Sequence, residues 1–147
     1  MKTVVIQGLG IVGAAMATAI ANVKNEMNQK VFDVIGIDVP TNSGKNRIDK
    51  INNGVFPFEV NDIELKKKLK HCIKSGNLNA TTEKKYYKNA DIILICINCD
   101  LYEKNDDAFI GLDLFIDGIN EVIKHISEHT LIIIETTIPP GTCEKIV

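Results

Sequence analysis

The sequence has no surplus of basic residues. Its 17 Lys and Arg stand against 19 Asp and Glu, a formal charge of −2 with three neutral histidines. A nucleic-acid footprint needs cations concentrated on one face, so no nucleic-acid partner is expected. No apolar run approaches the roughly 20 residues that cross a bilayer, so no membrane partner is expected either. A signal peptide would need a longer apolar region and a small-residue cleavage site. Here Met1-Lys2-Thr3 runs straight into Val4-Val5-Ile6, and the expected location is cytoplasmic. Cysteine is scarce, with four residues: Cys72, Cys96, Cys99 and Cys143. The cytosol keeps such thiols reduced. Cys96-Ile97-Asn98-Cys99 has the CxxC spacing of a redox pair or half a zinc site. There is no second CxxC, and Cys96 falls in a strongly apolar stretch, so packing is its expected role. Internal repeats and low-complexity segments are also missing.

What is present is ordinary for a globular chain: 147 residues, 45% hydrophobic and 24% charged, enough for one domain with a real core. Asn, Lys and Ile are abundant, which reads as a compositional bias. Apolar runs alternate with amphipathic ones, the pattern of a parallel sheet flanked by helices. Strands are expected at 4–7, 31–37, 78–81, 91–97 and 131–134. The most distinctive is 91–97, DIILICI, whose unbroken apolar run suits a strand buried on both faces. Helices are expected at 11–23, 45–53, 62–74, 82–88 and 113–125. Residues 40–44 read as a loop of turn formers and 99–111 as a polar loop. Pro139-Pro140-Gly141-Thr142 reads as a turn feeding a helix. Lys66-Lys67-Lys68 and Lys84-Lys85 read as solvated helix faces. The expected fold is an α/β, doubly wound parallel sheet of the Rossmann type with helices on both faces. A six-stranded version would carry at least one further strand. The expectation is therefore that residues 1–147 form a single domain, the N-terminal part of a longer enzyme.

The strongest motif is Gly8-Leu9-Gly10-Ile11-Val12-Gly13. A GxGxxG hexamer alone is weak, but this one follows an expected strand and opens an expected helix, the context the motif requires. The first glycine permits a tight turn, the second lets backbone approach a pyrophosphate, and the third lets helix and strand pack closely. The helix N-terminus offers free N–H groups to phosphate. Asp38 ends the second strand, 25 residues after Gly13, near the roughly 20 expected for the acid that binds the adenosine ribose. A carboxylate there repels a 2′-phosphate, which favours NAD over NADP. Lys45 and Arg47 stand close enough in sequence to accommodate that phosphate, but the carboxylate at Asp38 keeps NAD the expected cofactor. Ligands in such sheets bind beyond the carboxyl ends of the strands. That rule selects Asn98 to Leu101 and Glu135-Thr136-Thr137-Ile138. His125 and His129 stand four apart, but no third ligand has suitable spacing, so no metal site is expected. No Ser/His/Asp or Cys/His arrangement can be argued from the chain.

GLGIVG, GID, the Arg47-Ile48 pair with INNGVFP, NADIILICIN, GLDL and ETTIPPGT occur in an order that resembles the NAD-binding domain of the UDP-glucose/GDP-mannose dehydrogenase family. ETTIPPGT is the most specific of these, being similar to the family's E-S/T-T-x-P-P-G-T-T signature. The resemblance runs over nearly all of the chain and implies roles for matching positions. Gly8, Leu9, Gly10, Ile11, Val12 and Gly13 would hold the pyrophosphate. Asp38 and Arg47 would flank the adenosine, and Ile97, Asn98 and Cys99 would line the cofactor site. Thr136 and Ile138 would lie near the nicotinamide, and Thr137 would position a water or a substrate oxygen. Family enzymes oxidise the C6 alcohol of a nucleotide sugar to a carboxylate with two NAD per turnover, through a cysteine-bound intermediate. The family's nucleophilic cysteine and lysine lie in later segments, so these residues alone are expected to bind NAD without completing the oxidation, within a homo-oligomeric full-length enzyme. The chain departs from the pattern at Cys99-Asp100 (Thr-Pro in the family), in a longer 38–47 loop, at Pro57-Phe58-Glu59-Val60-Asn61, and at Cys143. The alternatives are a related dehydrogenase of the β-hydroxyacid type and a stand-alone NAD-sensing module.

Overall fold

The computed structural model describes residues 1–104 and 107–146. Five parallel strands form one sheet: β1 (Lys2–Gln7), β2 (Phe32–Ile37), β3 (Leu78–Thr81), β4 (Ile92–Ile95) and, after a hairpin, β7 (Leu131–Ile134). Their spatial order is β3-β2-β1-β4-β7, so the chain winds outward from β1 in both directions. This is the doubly wound arrangement expected of the sequence. The crossover helices are α1 (Ile11–Ala21), α2 (Asn42–Asn52), α3 (Ile63–Ser75) and α4 (Asp113–Ile123), with a 3-10 turn at Lys84–Asn89 and a final single turn, α5 (Thr142–Ile146).

The alternation along each strand divides the core in two. Val4 and Ile6 of β1 pack on one face with Ala14, Ala17, Ile48, Ile51, Leu69 and Cys72. Val5 packs on the other with Ile93, Ile95, Tyr87, Phe115, Ile119 and Val122. Successive side chains of a strand point to opposite faces, and a stretch buried on both faces must therefore be apolar throughout, as Val4–Ile6 of β1 and the whole of β4 are. Small residues let α1 lie close to the sheet, and Thr18 satisfies its buried hydroxyl by donating to the Ala14 carbonyl at 2.8 Å.

Three asparagines fasten the elements. Asn22 donates to the Thr18 carbonyl at 2.7 Å and to Cys72 Sγ at 2.9 Å. Asn77, buried, donates to the carbonyls of Ala21 at 2.6 Å and Phe32 at 3.3 Å. Asn52 lies beside β3 and uses both ends of its amide on one residue, accepting from Ala80 N at 2.8 Å and donating to Ala80 O at 2.9 Å.

Several boundaries differ from expectation. The 99–111 segment contains an antiparallel hairpin, β5 (Asp100–Lys104) and β6 (Asp107–Gly111); residues 105 and 106 between its strands lie outside the described residues. Neither DLYEK nor DAFIG alternates polar with apolar residues, so the strand period of two is hidden from a hydropathy reading. Helix α2 begins at Asn42, three residues before the expected 45, because Thr41 caps it by accepting from Gly44 N at 3.2 Å. A hydroxyl at the N-cap satisfies one of the orphan N–H groups of the first turn, and that makes a run of turn formers a helix start. Strand β4 stops at Ile95 instead of 97.

The parallel register sets up the site. Thr81, Ile37, Gln7, Ile95 and Ile134 lie side by side, since Gln7 pairs with Ile37 and Ile95, Ile37 with Thr81, and Ile95 with Ile134. The next residues along the chain, Asp38, Gly8, Cys96 and Glu135, therefore leave the sheet at one edge.

Candidate functional site

The winding reverses between β1 and β4, the place where doubly wound sheets open a crevice. Gly8 sits there with φ +93°, in the left-handed region that favours glycine. Its N–H donates to the Ile37 carbonyl at 2.8 Å. A Cβ at Gly8 would lie 2.8 Å from the Cys96 carbonyl oxygen, so the turn and the end of β4 are in direct contact. A Cβ at Gly13 would lie 1.9 Å from the Gly8 carbonyl oxygen and 3.2 Å from Cys96 Cβ. Helix α1 thus starts against the turn itself. Gly10 is the contrast: a Cβ there would meet nothing within 4 Å. Gly10 is also the N-cap of α1, without a side-chain cap bond and without an acidic residue in the first turn. Unoccupied space beside an uncapped, uncompensated helix N-terminus fits a pyrophosphate.

The other residues of the hexamer divide. Leu9 is buried and points down, against the place where a Cβ of Gly36 would be. Its side chain plugs the core, and its backbone is what it can offer a ligand. Ile11 and Val12 are both about half exposed, at 53% and 50%, on the open side of the turn.

Asp38 is buried at the end of β2 and is held by three donors of its own chain. Val39 N donates to Oδ1 at 2.8 Å, Arg47 Nη2 to Oδ1 at 3.0 Å, and Arg47 Nε to Oδ2 at 2.7 Å. Arg47 reaches Asp38 because α2 begins directly on the residue after it: a Cβ at Gly44 would lie 2.0 Å from the Val39 carbonyl oxygen. The hydrogen bond to Asp38 raises the Arg47 pKa above its ordinary value, against desolvation and with help from the carboxylate's charge. Lys45 is exposed on the same helix.

Beyond β4, Ile97 and Cys99 pack partly against the second core cluster, and Ile97 abuts Gly118 of α4 so closely that a Cβ there would lie 2.1 Å from Ile97 Cδ1. Asn98 between them is exposed. Beyond β7, the Thr136 hydroxyl lies 2.7 Å from the Ile97 carbonyl and 3.2 Å from that of Ile95, toward which it donates. Thr136 therefore ties the exits of β7 and β4 together. Thr137 is exposed at that edge, and Ile138 is partly buried.

Cys96 and Cys99 are partly buried, Cys72 is buried and Cys143 is exposed. Burial, with a smaller contribution from Glu135, pushes the Cys96 thiol up to about 11, away from the thiolate a redox pair needs. Cys72 is buried and its pKa is raised by desolvation. His125 Nδ1 lies 2.8 Å from the Glu121 carbonyl and His129 is exposed. No group of three or more His, Cys, Asp or Glu that could hold a metal ion occurs among the described residues. One contributor was missed from sequence: Tyr87, buried, whose hydroxyl donates to Gln7 Oε1 immediately before Gly8. Nothing in its local sequence marks it.

A family model described as UDP-glucose/GDP-mannose dehydrogenase family, NAD binding domain, matches residues 1–147. The chain belongs to this family. Its cofactor is NAD, as that domain's description states. The chain is 34% identical over 151 aligned residues to a UDP-N-acetyl-D-mannosamine dehydrogenase of Methanococcus vannielii, covering 99% of this chain and 31% of that protein. Among solved structures it is similar to the UDP-D-ManNAc dehydrogenase of Pyrococcus horikoshii, with 30% identity, TM-score 0.78, and coverage of 98% of this chain and 30% of that one. An NDP-N-acetyl-D-galactosaminuronic acid dehydrogenase of Methanosarcina mazei shares the fold at TM-score 0.86 and 24% identity, over 98% of this chain and 29% of that one. The chain thus spans under a third of the length of the relatives it matches. Among the described residues no helix is long and apolar enough to cross a membrane.

Proposed function

We propose that this domain is the NAD-holding part of a nucleotide-sugar dehydrogenase that oxidises a C6 alcohol to a carboxylate, with UDP-N-acetyl-D-mannosamine as its substrate. The convergence of the glycine turn, Asp38, Asn98 and Thr137 on one sheet edge carries the reading of the site. The names of the relatives at 34% and 30% identity support the choice of sugar. In this reading the backbone of Gly8–Gly13 and the first N–H groups of α1 hold the pyrophosphate. Asp38 accepts from the adenosine ribose, with Arg47 beside it. Ile97, Asn98 and Cys99 floor the nicotinamide half, bordered by Thr136 and Ile138. Thr137 positions a water or substrate oxygen. When bound, NAD supplies the hydride acceptor. Oxidation of a primary alcohol to a carboxylate removes two hydrides and takes up a water oxygen, so two NAD are reduced per sugar. The sugar pocket and the group that forms the covalent intermediate belong to segments beyond these residues, and the enzyme is a cytoplasmic homo-oligomer.

Two measurements test this. A fluorescence titration of NADH against the 147-residue chain should show saturable binding that NAD displaces. The full-length polypeptide, given UDP-N-acetyl-D-mannosamine, should form two NADH per sugar, faster than with UDP-glucose or GDP-mannose. Binding without turnover of any nucleotide sugar overturns the substrate reading, and absence of binding overturns the site.

A further inference from the structure

The Asp38–Arg47 pair holds a consequence for cofactor choice, and it rests on the NAD site proposed above. A lone carboxylate at the end of β2 disfavours a 2′-phosphate through its charge. Here the carboxylate is not alone. Arg47 grips it with two N–H groups, at 2.7 and 3.0 Å, and the pair as a whole carries no net charge. Charge repulsion alone is then a weak barrier to a 2′-phosphate. A guanidinium fork, in turn, is the side chain best matched to bidentate phosphate recognition. We propose that Arg47 is a masked 2′-phosphate receptor and that Asp38 makes the site selective for NAD by occupying its fork.

Three features support this beyond the pair's existence. The Arg47 side chain is 24% exposed and the Asp38 side chain 5%, so the guanidinium is the more accessible partner once the carboxylate is gone. The carboxylate has about four acceptor positions, and three of its own chain's N–H groups already use it. Its fit to a ribose diol is therefore shared with Arg47. The close seat of Gly44 on Val39 fixes the start of α2, so Arg47 stays beside the ribose position when Asp38 is replaced.

The test is the ratio of NADP to NAD affinity in the full-length protein, read from fluorescence titrations with NADPH and NADH. Asp38→Ser should raise that ratio on the order of 10- to 100-fold, the worth of one charge-assisted hydrogen bond. Asp38→Ser with Arg47→Ala should lose the gain. If the pair were only a staple between β2 and α2, Asp38→Ser would weaken both cofactors in proportion and leave the ratio unchanged, which overturns the proposal. A gain that survives Arg47→Ala also overturns it and points to Lys45. Should Asp38→Ser fail to fold by circular dichroism, Asp38→Asn keeps the shape, removes the charge that holds the fork, and is read by the same ratio. NADH binding by the unaltered protein is the control: its absence would sink the site itself, whereas its presence with an unchanged ratio sinks only the masking.

Discussion

Gly10 and Gly13 stand three residues apart in the same motif, and the geometry predicts opposite consequences for the same substitution. At Gly13, alanine places a Cβ 1.9 Å from the Gly8 carbonyl oxygen. Both partners are backbone, so α1 or the turn must move by more than 1 Å. Inside a helix, Gly→Ala is otherwise worth about 1 kcal/mol of stabilisation. Overpacking of this kind typically costs about 1–3 kcal/mol, and a backbone obstacle sits at the upper end. A net loss of about 2 kcal/mol lowers the melting temperature by about 4–8 °C for a chain of this size. At Gly10 a Cβ meets nothing within 4 Å and φ is −61°, so alanine is tolerated, with a loss below about 1 kcal/mol for a poorer N-cap. Its methyl group occupies the space read as the pyrophosphate approach. Gly10→Ala should therefore melt within about 2–4 °C of the parent and bind NADH at least about tenfold more weakly, an estimate from one lost charge-assisted contact. Thermal melts by circular dichroism and NADH titrations on both variants decide it. A Gly13→Ala protein as stable as the parent would falsify the packing argument, and undiminished NADH binding by Gly10→Ala would refute the phosphate site.

Tyr87→Phe keeps the buried ring but removes the donor to Gln7 Oε1; a loss of about 1–2 kcal/mol is expected in urea unfolding, and an unchanged midpoint contradicts it. Asn77→Ala leaves the Ala21 and Phe32 carbonyls without their side-chain donor, so a larger fall of about 2–3 kcal/mol is expected. For Cys96 the sign follows from a folded pKa of about 11 above the ordinary 9.0. The unfolded thiol ionises first as pH rises, so this group's contribution is whole below pH 9 and is lost as pH climbs toward 11. At pH 8, iodoacetamide followed by mass spectrometry should label exposed Cys143 well before Cys96; equal rates would contradict the burial of Cys96.

Strand and helix types were legible because both faces of the sheet are covered. DIILICI has no polar residue to expose after its first position, and the glycine spacing sits where a strand must turn into a helix. What escaped was contact made at a distance. Nothing in the sequence says that Arg47 folds back on Asp38, since that depends on Gly44 letting α2 rest on Val39. Leu9 lies inside the cofactor motif, yet Gly36 on the neighbouring strand provides a hole for its side chain and draws it into the core. The Thr136 hydroxyl reaches the Ile95 and Ile97 carbonyls, a tie between two strand exits that its place after β7 does not announce. The asparagines, set down to compositional bias, include Asn22, Asn52 and Asn77, whose amides join separate elements. An abundant residue type carries no signal until the fold gives each copy an address.

The Asn52 amide has a consequence outside this domain. A sheet edge offers backbone donors and acceptors to any strand that drifts by, which is how folded domains fuse into larger assemblies. By taking both groups of Ala80, Asn52 acts as a terminator on the β3 side. Leu131 and Ile133 of β7, on the opposite side of the described sheet, are 55% and 39% exposed. The adenosine side of the sheet is thereby closed to a passing strand, and an Asn52→Ala chain would expose the Ala80 backbone there as a template.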